Sequence, residues 1–283
     1  MTLHDALADA RARLTGVGLR ADEVAIDVDV YACTILGWDR ARLLADLRQP
    51  RPAALEPRFS EWVARREQRE PTPYIVGVRE FWGLEFEVSP AVLIPRPESE
   101  LIVEEALRVL GSLEGARIAD AGTGSGCLAI AVACESASAS VVATDISGDA
   151  LEVAALNARR HSVDSRVHFV HTSYLDGVGG PFDLIVANPP YVKDGDKPAL
   201  SRQVAGYEPH VALFGGGDGL RGVTAVLKAG ASKLVPGGWL IVEFGLGQDD
   251  QVQALIDDDP AFRLDRLRQD LQGIARTAVA QRV

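Results

Sequence analysis

The sequence has few cysteines, no signal-type apolar segment near its N-terminus and no long apolar run. Only three of its 283 residues are cysteine. Cys127 and Cys134 lie about two turns apart on a predicted helix, too far apart to form a disulfide. We therefore expect the cysteines to be small core residues of a protein in a reducing compartment. The chain is charged from Asp5 onward, and its longest apolar runs fall well below the ~20 residues of a membrane span. These absences predict a soluble, cytoplasmic protein.

Clustered positive charge is also lacking. The net charge is −11, and residues 71–283 hold 18 basic against 28 acidic residues, which places −10 of the net charge there. Tight binding to a nucleic-acid backbone needs clustered lysine and arginine, so we expect no direct binding to nucleic acid. Histidine, cysteine and carboxylate residues do not occur at metal-ligand spacing, and the sequence therefore predicts no metal site.

The remaining composition is that of an ordinary globular protein, with 47% hydrophobic and 24% charged residues and enough length for one large domain or two smaller ones. Residues 1–75 predict a helical domain, because apolar residues recur there at helical spacing. We expect the arginine-rich surface of this domain (Arg65, Arg66 and Arg69) to be a solvated face, with contact to a partner as the alternative. Residues 76–93 predict a β-hairpin linker that turns at Gly83.

Residues 94–283 alternate between strand-like and helix-like segments. Such alternation predicts an α/β domain with a mostly parallel sheet and helices on both faces. The last two strand-like segments follow each other without a helix, so we expect an antiparallel hairpin at one edge of the sheet. The predicted strands are RIADA, SVVATD, RVHFVHT, FDLIVA, WLIVEFG, FRLDRLRQ and RTAVAQRV.

A glycine-rich turn, DAGTGSG at residues 120–126, joins the first of these strands to its helix. Gly122, Gly124 and Gly126 allow a sharp turn and a close approach of a ligand to the backbone. Their spacing differs from that of dinucleotide sites, and no Walker lysine follows. Asp145, at the end of the next strand, is placed to accept the ribose hydroxyls of a nucleoside. Together these features favour a nucleoside cofactor without a demanding phosphate group, which points to S-adenosylmethionine (AdoMet). A purely structural tight turn is the alternative.

The motif Asn188-Pro189-Pro190-Tyr191 ends the predicted strand FDLIVA. In a parallel sheet this end lies at the carboxyl edge, beside the cofactor. The Asn188 carbonyl oxygen and the Pro189 carbonyl, held by prolines of fixed φ, can accept both hydrogens of a planar –NH2 group. These acceptors would turn the nitrogen lone pair toward a methyl donor and strengthen as positive charge develops on the nitrogen. Tyr191 would pack on the flat face of the substrate. An unusual turn is the alternative.

Five segments closely resemble the protein-(glutamine-N5) methyltransferases of the HemK (PrmC) type, which modify peptide chain release factors: PTPYIVGVREFWGLEFEVSPAVLIPRPESE, DAGTGSG, NPPYV, YEPHVALFGGGDGL and QDLQGIAR. The resemblance covers nearly the whole chain. It implies the seven-stranded, Rossmann-like fold of class I AdoMet-dependent methyltransferases behind a small N-terminal helical bundle. It also implies AdoMet as methyl donor and the glutamine of the Gly-Gly-Gln motif in class 1 release factors as acceptor. We expect the helical domain to recognise this protein substrate, and the protein to be a monomer.

By resemblance, two groups of residues form the site. The residues that hold AdoMet are Gly122, Thr123, Gly124, Ser125, Gly126, Asp145, Tyr174 and Asn188. The residues that hold the glutamine are Asn188, Pro189, Pro190 and Tyr191, of which Asn188, Pro189 and Tyr191 are catalytic. One position departs from the family pattern, because Ser173 stands where an aspartate usually accepts from the adenine amino group. Arg96, Glu98 and Glu208 lie either near the pocket entrance or in a purely structural interdomain loop.

Three other functions share some of these features. A nucleic-acid N6-adenine methyltransferase also grips an amino group with this motif, but it would need a basic surface and base flipping. Ribosomal-protein glutamine methyltransferases resemble the chain less around IPRPESE. A non-catalytic AdoMet-sensing protein would have no use for a pair of acceptors that holds an amide.

Overall fold

The computed structural model describes residues 1–111 and 113–283, which divide into two compact units. The first unit comprises Met1–Gly77 and Ser201–Tyr207, and the second comprises Val78–Leu200 and Glu208–Val283. The chain therefore leaves the second unit for a short segment and then returns to it.

Helices dominate the first part of the chain and alternate with strands in the rest. The α-helices of the described residues are α1 (Leu3–Gly16), α2 (Ala21–Leu36), α3 (Arg40–Ala45), α4 (Arg58–Glu67), α5 (Thr72–Val76), α6 (Glu100–Leu110), α7 (Cys127–Glu135), α8 (Gly148–Arg160), α9 (Arg202–Tyr207), α10 (Arg221–Lys233) and α11 (Asp249–Asp257). The strands are β1 (Val78–Phe81), β2 (Leu84–Glu87), β3 (Arg117–Ala121), β4 (Ser140–Asp145), β5 (Val167–His171), β6 (Phe182–Ala187), β7 (Leu234–Glu243), β8 (Phe262–Gln269) and β9 (Ala275–Arg282). Each strand predicted for the larger domain is present.

The first unit is a helical bundle, as predicted. α1 begins with a capping box, in which the Thr2 hydroxyl accepts from the Asp5 amide and the Asp5 carboxylate accepts from the Thr2 amide. Gly37 ends α2 in the left-handed conformation, with φ of 64°. The buried apolar side chains of the bundle include Leu3, Leu7, Leu14, Val24, Val28, Tyr31, Phe59, Trp62 and Val63.

Arg66 departs from the solvated face predicted for its segment. Its side chain is 1% exposed, and it donates to Asp27 at 2.7 Å, to Gln203 at 3.0 Å and to Glu23. Gln203 belongs to α9, so the charge-assisted network fixes the segment Ser201–Tyr207 to this unit. For Arg66 the prediction was wrong, because its partners come from distant parts of the chain, whereas Arg65 is exposed as expected.

The second unit is built on a seven-stranded sheet in the order β5-β4-β3-β6-β7-β9-β8. The strands from β5 to β7 are parallel, and β9 is antiparallel to both of its neighbours. The mostly parallel sheet and the antiparallel hairpin at one edge are therefore confirmed. β1 and β2 form a separate antiparallel hairpin that turns at Gly83.

Two apolar cores lie on the two faces of this sheet. Along β6, Leu184 and Val186 pack into one core with α6 and α7, and Ile185 and Ala187 pack into the other with α10 and α11. Successive side chains of a strand point to opposite faces. Burial on both faces explains the continuous apolar run of this strand, and it leaves the end of the strand as the place where polar groups can face a ligand.

The prediction that the cysteines are small core residues holds in part, because Cys33 and Cys127 pack against the apolar cores whereas Cys134 does not. Cys134 is exposed in the last turn of α7, beside the exposed Glu135, and Cys33 and Cys127 are partly exposed. All three belong to the described residues and are free thiols. No helix of residues 1–111 or 113–283 is both long and apolar enough to cross a membrane.

Candidate active site

A cavity of about 680 Å³ opens at the carboxyl edge of the sheet, where β3, β4 and β6 end. Ligands of open α/β sheets bind at this edge. Of the predicted site residues, those that line the cavity are Gly122, Thr123, Gly124, Ser125, Asp145, Tyr174, Asn188 and Pro190. Gly126, Pro189 and Tyr191 do not line it. The fold thus brings most of the predicted AdoMet-binding residues, and two of the four predicted glutamine-binding residues, to one cavity.

The glycine-rich turn forms one wall of this cavity. Gly122, Gly124 and Gly126 have positive φ values of 85°, 56° and 82°. A Cβ at Gly122 or Gly124 would meet no atom within 4 Å, whereas a Cβ at Gly126 would lie 2.9 Å from Ile130 Cδ1. Gly122 and Gly124 therefore give a ligand access to the backbone, and Gly126 serves the conformation and packing at the start of α7.

Asp145, the last residue of β4, is held by the backbone around it. Its Oδ2 accepts from the Gly124 amide at 2.9 Å, and its Oδ1 accepts from the Ser147 amide at 2.9 Å. The side chain is partly exposed and lines the cavity. Because each carboxylate oxygen has a further lone pair, the group can still accept from the hydroxyls of a bound nucleoside.

Asp120, which the sequence did not single out, lies fully buried behind the glycine-rich turn. Its Oδ2 accepts from Thr123 Oγ1 at 2.6 Å and from the Ala129 amide at 3.2 Å, while its Oδ1 has no partner among the described residues. Burial raises the pKa of this carboxyl group to about 7. A buried oxygen without a partner is a costly feature that a ligand can satisfy. The signal in the sequence was a carboxylate in an apolar strand, directly before the glycines.

Tyr174 and its neighbours form another wall. Tyr174 has a φ of 46°, which is uncommon for a residue with a side chain, and burial raises the pKa of its hydroxyl. Ser173 lines the cavity, and so do Asp176 and Ile146, which is 56% exposed. Asp176 therefore supplies a carboxylate three residues beyond Ser173, the position where the family has its aspartate. Ile146 supplies an apolar side chain that can contact a planar ring.

Asn188 follows the last residue of β6, and a short chain of hydrogen bonds orients its amide. The Asn188 Nδ2 donates to the Ser99 hydroxyl at 2.8 Å, and this hydroxyl donates to Glu243 Oε2 at 2.6 Å. No described residue donates to Asn188 Oδ1 or to the Pro189 carbonyl oxygen. The two oxygens predicted to hold an amino group are thus free of protein donors within the part of the chain that the structure describes.

The segment FGGGDGLRG, residues 214–222, supports the Pro190-Tyr191 turn. A Cβ at Gly215 would clash with the Pro190 carbonyl oxygen, and one at Gly219 would clash with the Tyr191 carbonyl oxygen. Only glycine lets this segment approach the turn so closely. The sequence alone indicated no role for these glycines, because the contact joins residues more than twenty positions apart in the connection between β6 and β7.

Tyr191 packs beside Glu243 rather than in the cavity wall. Burial, followed by the charge of Glu243, raises the pKa of the Tyr191 hydroxyl. The ring is partly exposed. Its packing against the plane of a substrate remains a prediction.

The IPRPESE segment is joined to the YEPH segment by an ion pair. Arg96 Nη2 lies 2.5 Å from Glu208 Oε1, and the Ile94 amide donates to Glu208 Oε2 at 3.3 Å. The Glu208 side chain is 1% exposed, whereas that of Arg96 is 30% exposed and lines the cavity. Glu208 therefore anchors the two loops, and Arg96 both anchors them and contributes to the cavity wall.

Two family models match the chain. The Methyltransferase small domain matches residues 99–206, and the PrmC N-terminal domain matches residues 5–77. A release factor glutamine methyltransferase from Bradyrhizobium diazoefficiens is 40% identical over 93% of this chain and 89% of its own length. The chain belongs to the release factor glutamine methyltransferase family. A second member, from Moorella thermoacetica, is 39% identical over 100% of this chain and 99% of its own length.

The fold agrees with membership of the release factor glutamine methyltransferase family. The Thermus thermophilus 16S rRNA methyltransferase RsmC, in complex with AdoMet and guanosine, superimposes with a TM-score of 0.51. It is 20% identical in sequence, and the match covers 73% of this chain and 50% of that chain. The predicted class I methyltransferase fold is thus confirmed for the second unit.

Proposed function

We propose that this protein transfers the methyl group of AdoMet to the side-chain amide nitrogen (N5) of the glutamine in the Gly-Gly-Gln motif of class 1 peptide chain release factors. Family membership supports a release factor as the substrate. The observation that carries the proposal is the orientation of Asn188, whose NH2 group is bound to Ser99 while its carbonyl oxygen is free at the cavity. A free carbonyl oxygen there can accept from a substrate group that carries hydrogens on nitrogen, such as a side-chain amide.

The cavity fits AdoMet in its chemistry. Gly122 and Gly124 leave space at the backbone, and Asp145 has lone pairs for the two ribose hydroxyls. The buried Asp120, which accepts from the cavity residue Thr123, would attract the ammonium group electrostatically, because a nearby positive charge stabilises a buried carboxylate. Bound AdoMet supplies an electrophilic methyl group on a sulfonium centre. Tyr174 and Asp176 would contact its base.

The remaining chemistry belongs to the protein. An amide nitrogen is a poor nucleophile because its lone pair is delocalised. Asn188 Oδ1 and the Pro189 carbonyl would hold both N–H hydrogens and fix the amide plane. As the nitrogen–carbon bond forms and the sulfur–carbon bond breaks, positive charge develops on the nitrogen, so these hydrogen bonds strengthen in the transition state. The acidified N–H proton then leaves to solvent. No metal ion enters this scheme, and the described residues contain no cluster of three or more potential metal ligands.

A competition experiment tests the proposed acceptor. The protein is incubated with methyl-labelled AdoMet and equal amounts of a class 1 release factor, ribosomal proteins and DNA. We expect label on the release factor and none on the same factor when its Gly-Gly-Gln glutamine is replaced by alanine. Label on a ribosomal protein or on DNA instead, with the release factor unlabelled, would overturn the proposal.

A further inference from the structure

Ser99 stands at the N-terminal end of α6, where a serine hydroxyl normally accepts from an amide of the first turn. Here the hydroxyl makes no such capping bond. The residue is 2% exposed, accepts from Asn188 Nδ2 at 2.8 Å and donates to Glu243 Oε2 at 2.6 Å. Its hydrogen bonds therefore serve the active site and not the helix.

Glu243 sets the direction of these hydrogen bonds. An ionised carboxylate can only accept, so the single hydroxyl proton of Ser99 is committed to Glu243. The Ser99 oxygen can then only accept from Asn188, which must present its NH2 group to Ser99. The Asn188 carbonyl oxygen consequently points away from Ser99. With the amide turned over, Asn188 would instead present N–H donors to a substrate that also carries N–H donors.

We propose that Ser99 and Glu243 are positioning residues that hold the Asn188 amide with its carbonyl oxygen toward the acceptor nitrogen. This inference rests on the function proposed above. It gives a role to the serine of IPRPESE and to the glutamate that ends β7, neither of which the sequence placed in the site. It also makes the acceptor preference depend on residues that act through Asn188.

The surroundings of Glu243 make its charge sensitive to pH. The titratable and charged groups near it are Glu98, Cys127, Tyr191 and Arg276. Burial is the largest influence and raises the pKa of Glu243 to about 7, the Glu98 charge raises it too, and Ser99, Tyr191 and Arg276 lower it. The Cys127 thiol is neutral, because burial raises its pKa to about 12.

Protonation would release the constraint. A protonated Glu243 can donate to Ser99, and the Ser99 hydroxyl can then donate to Asn188 Oδ1, so the amide can turn over. The group has the required charge above its pKa and loses it below. Turnover should therefore fall as the pH decreases through about 7.

Ser99→Ala tests the positioning role directly. With a release factor as substrate, we expect kcat to fall about 10-fold to 100-fold, with the AdoMet dissociation constant changed by less than about twofold. Ser99→Thr keeps the hydroxyl and should restore most of the rate. Ser138→Ala, which removes a hydroxyl that accepts from the Gly115 amide outside the cavity, is the matched control and should leave kcat unchanged. A kcat for Ser99→Ala within about twofold of that of the parent overturns the proposal. A kcat for Ser99→Thr no higher than that for Ser99→Ala also overturns it.

The pH profile supplies a second, independent readout. Single-turnover rates are measured at saturating AdoMet from about pH 6 to 9. In the parent the rate should fall toward low pH, which gives the profile an acid limb. In Glu243→Gln the rate should be lower and independent of pH. Glu105→Gln removes another buried carboxylate, one paired with Arg108 and Arg268 away from the cavity, and should keep the limb. An acid limb that persists in Glu243→Gln overturns the proposal. If melting curves show that Ser99→Ala is unfolded, this profile decides alone. Failure of the parent to methylate any release factor would instead overturn the proposed function.

Discussion

Replacing Asn188 with alanine removes one of the two carbonyl acceptors proposed for the glutamine amide. Asn188 is partly exposed beyond the end of β6, outside both apolar cores. The lost hydrogen bond to Ser99 should therefore lower the free energy of unfolding by only about 1 kcal/mol. The fold and the AdoMet wall formed by the glycine-rich turn should survive the change.

The effect of Asn188→Ala on the reaction should be much larger, because the deleted acceptor strengthens as charge develops on the nitrogen. Removal of one comparable group from an oxyanion hole lowers the rate by roughly 10²–10³, or about 3–4 kcal/mol. We expect a loss of this size in the rate of methyl transfer. AdoMet affinity should change far less, because the developing charge is absent from the ground state.

Single-turnover methylation of a release factor at saturating AdoMet measures the rate, and calorimetry measures AdoMet affinity. Asp183→Ala is the matched control, since Asp183 lies at the opposite end of β6 and its carboxylate accepts from the Arg117 amide at 2.8 Å. It should lower stability without lowering the rate. An Asn188→Ala protein whose rate stays within a few-fold of the parent would refute the reasoning and leave the motif as a turn only.

Three further substitutions probe the rest of the site. Asp145→Ala should weaken AdoMet binding by about 1–3 kcal/mol, because it leaves ribose hydroxyls without an acceptor; unchanged affinity in calorimetry would move the ribose elsewhere. Ser173→Asp should tighten AdoMet binding if adenine lies against this wall, because a charged acceptor binds an amine more strongly than a neutral one; equal or weaker affinity would show that adenine is held differently. Gly219→Ala should lower stability by roughly 1–3 kcal/mol and impair turnover, because its φ is 77° and its Cβ would clash with Tyr191; a melting temperature and rate equal to those of the parent would contradict this.

Patterns confined to one segment predicted the fold well. The alternation of strand-like and helix-like segments indicated the parallel sheet, and the two strands without a helix between them indicated the edge hairpin. Such patterns also indicated that the Gly122 turn and Asp145 lie together at the carboxyl edge, because the ends of neighbouring parallel strands must meet at one edge; their contacts with AdoMet stay a prediction.

Contacts between distant segments could not be predicted. The bond from Ser99 to Glu243 joins a helix end to a strand end 144 positions away, and Ser99 by itself looks like an ordinary helix cap. The burial of Arg66 against Gln203, and with it the return of Ser201–Tyr207 to the first unit, depends likewise on residues far apart in the chain. A polar residue's partner is fixed by packing, which a single sequence does not display.

Location of the transferred methyl group tests the central claim most directly. A class 1 release factor is incubated with the protein and AdoMet, digested and sequenced by tandem mass spectrometry. We predict a single added methyl group on the side chain of the Gly-Gly-Gln glutamine, and none when Asn188→Ala replaces the parent protein for the same short time. A methyl group on any other residue, or an unmodified glutamine after prolonged incubation with a protein shown by calorimetry to bind AdoMet, would contradict the account.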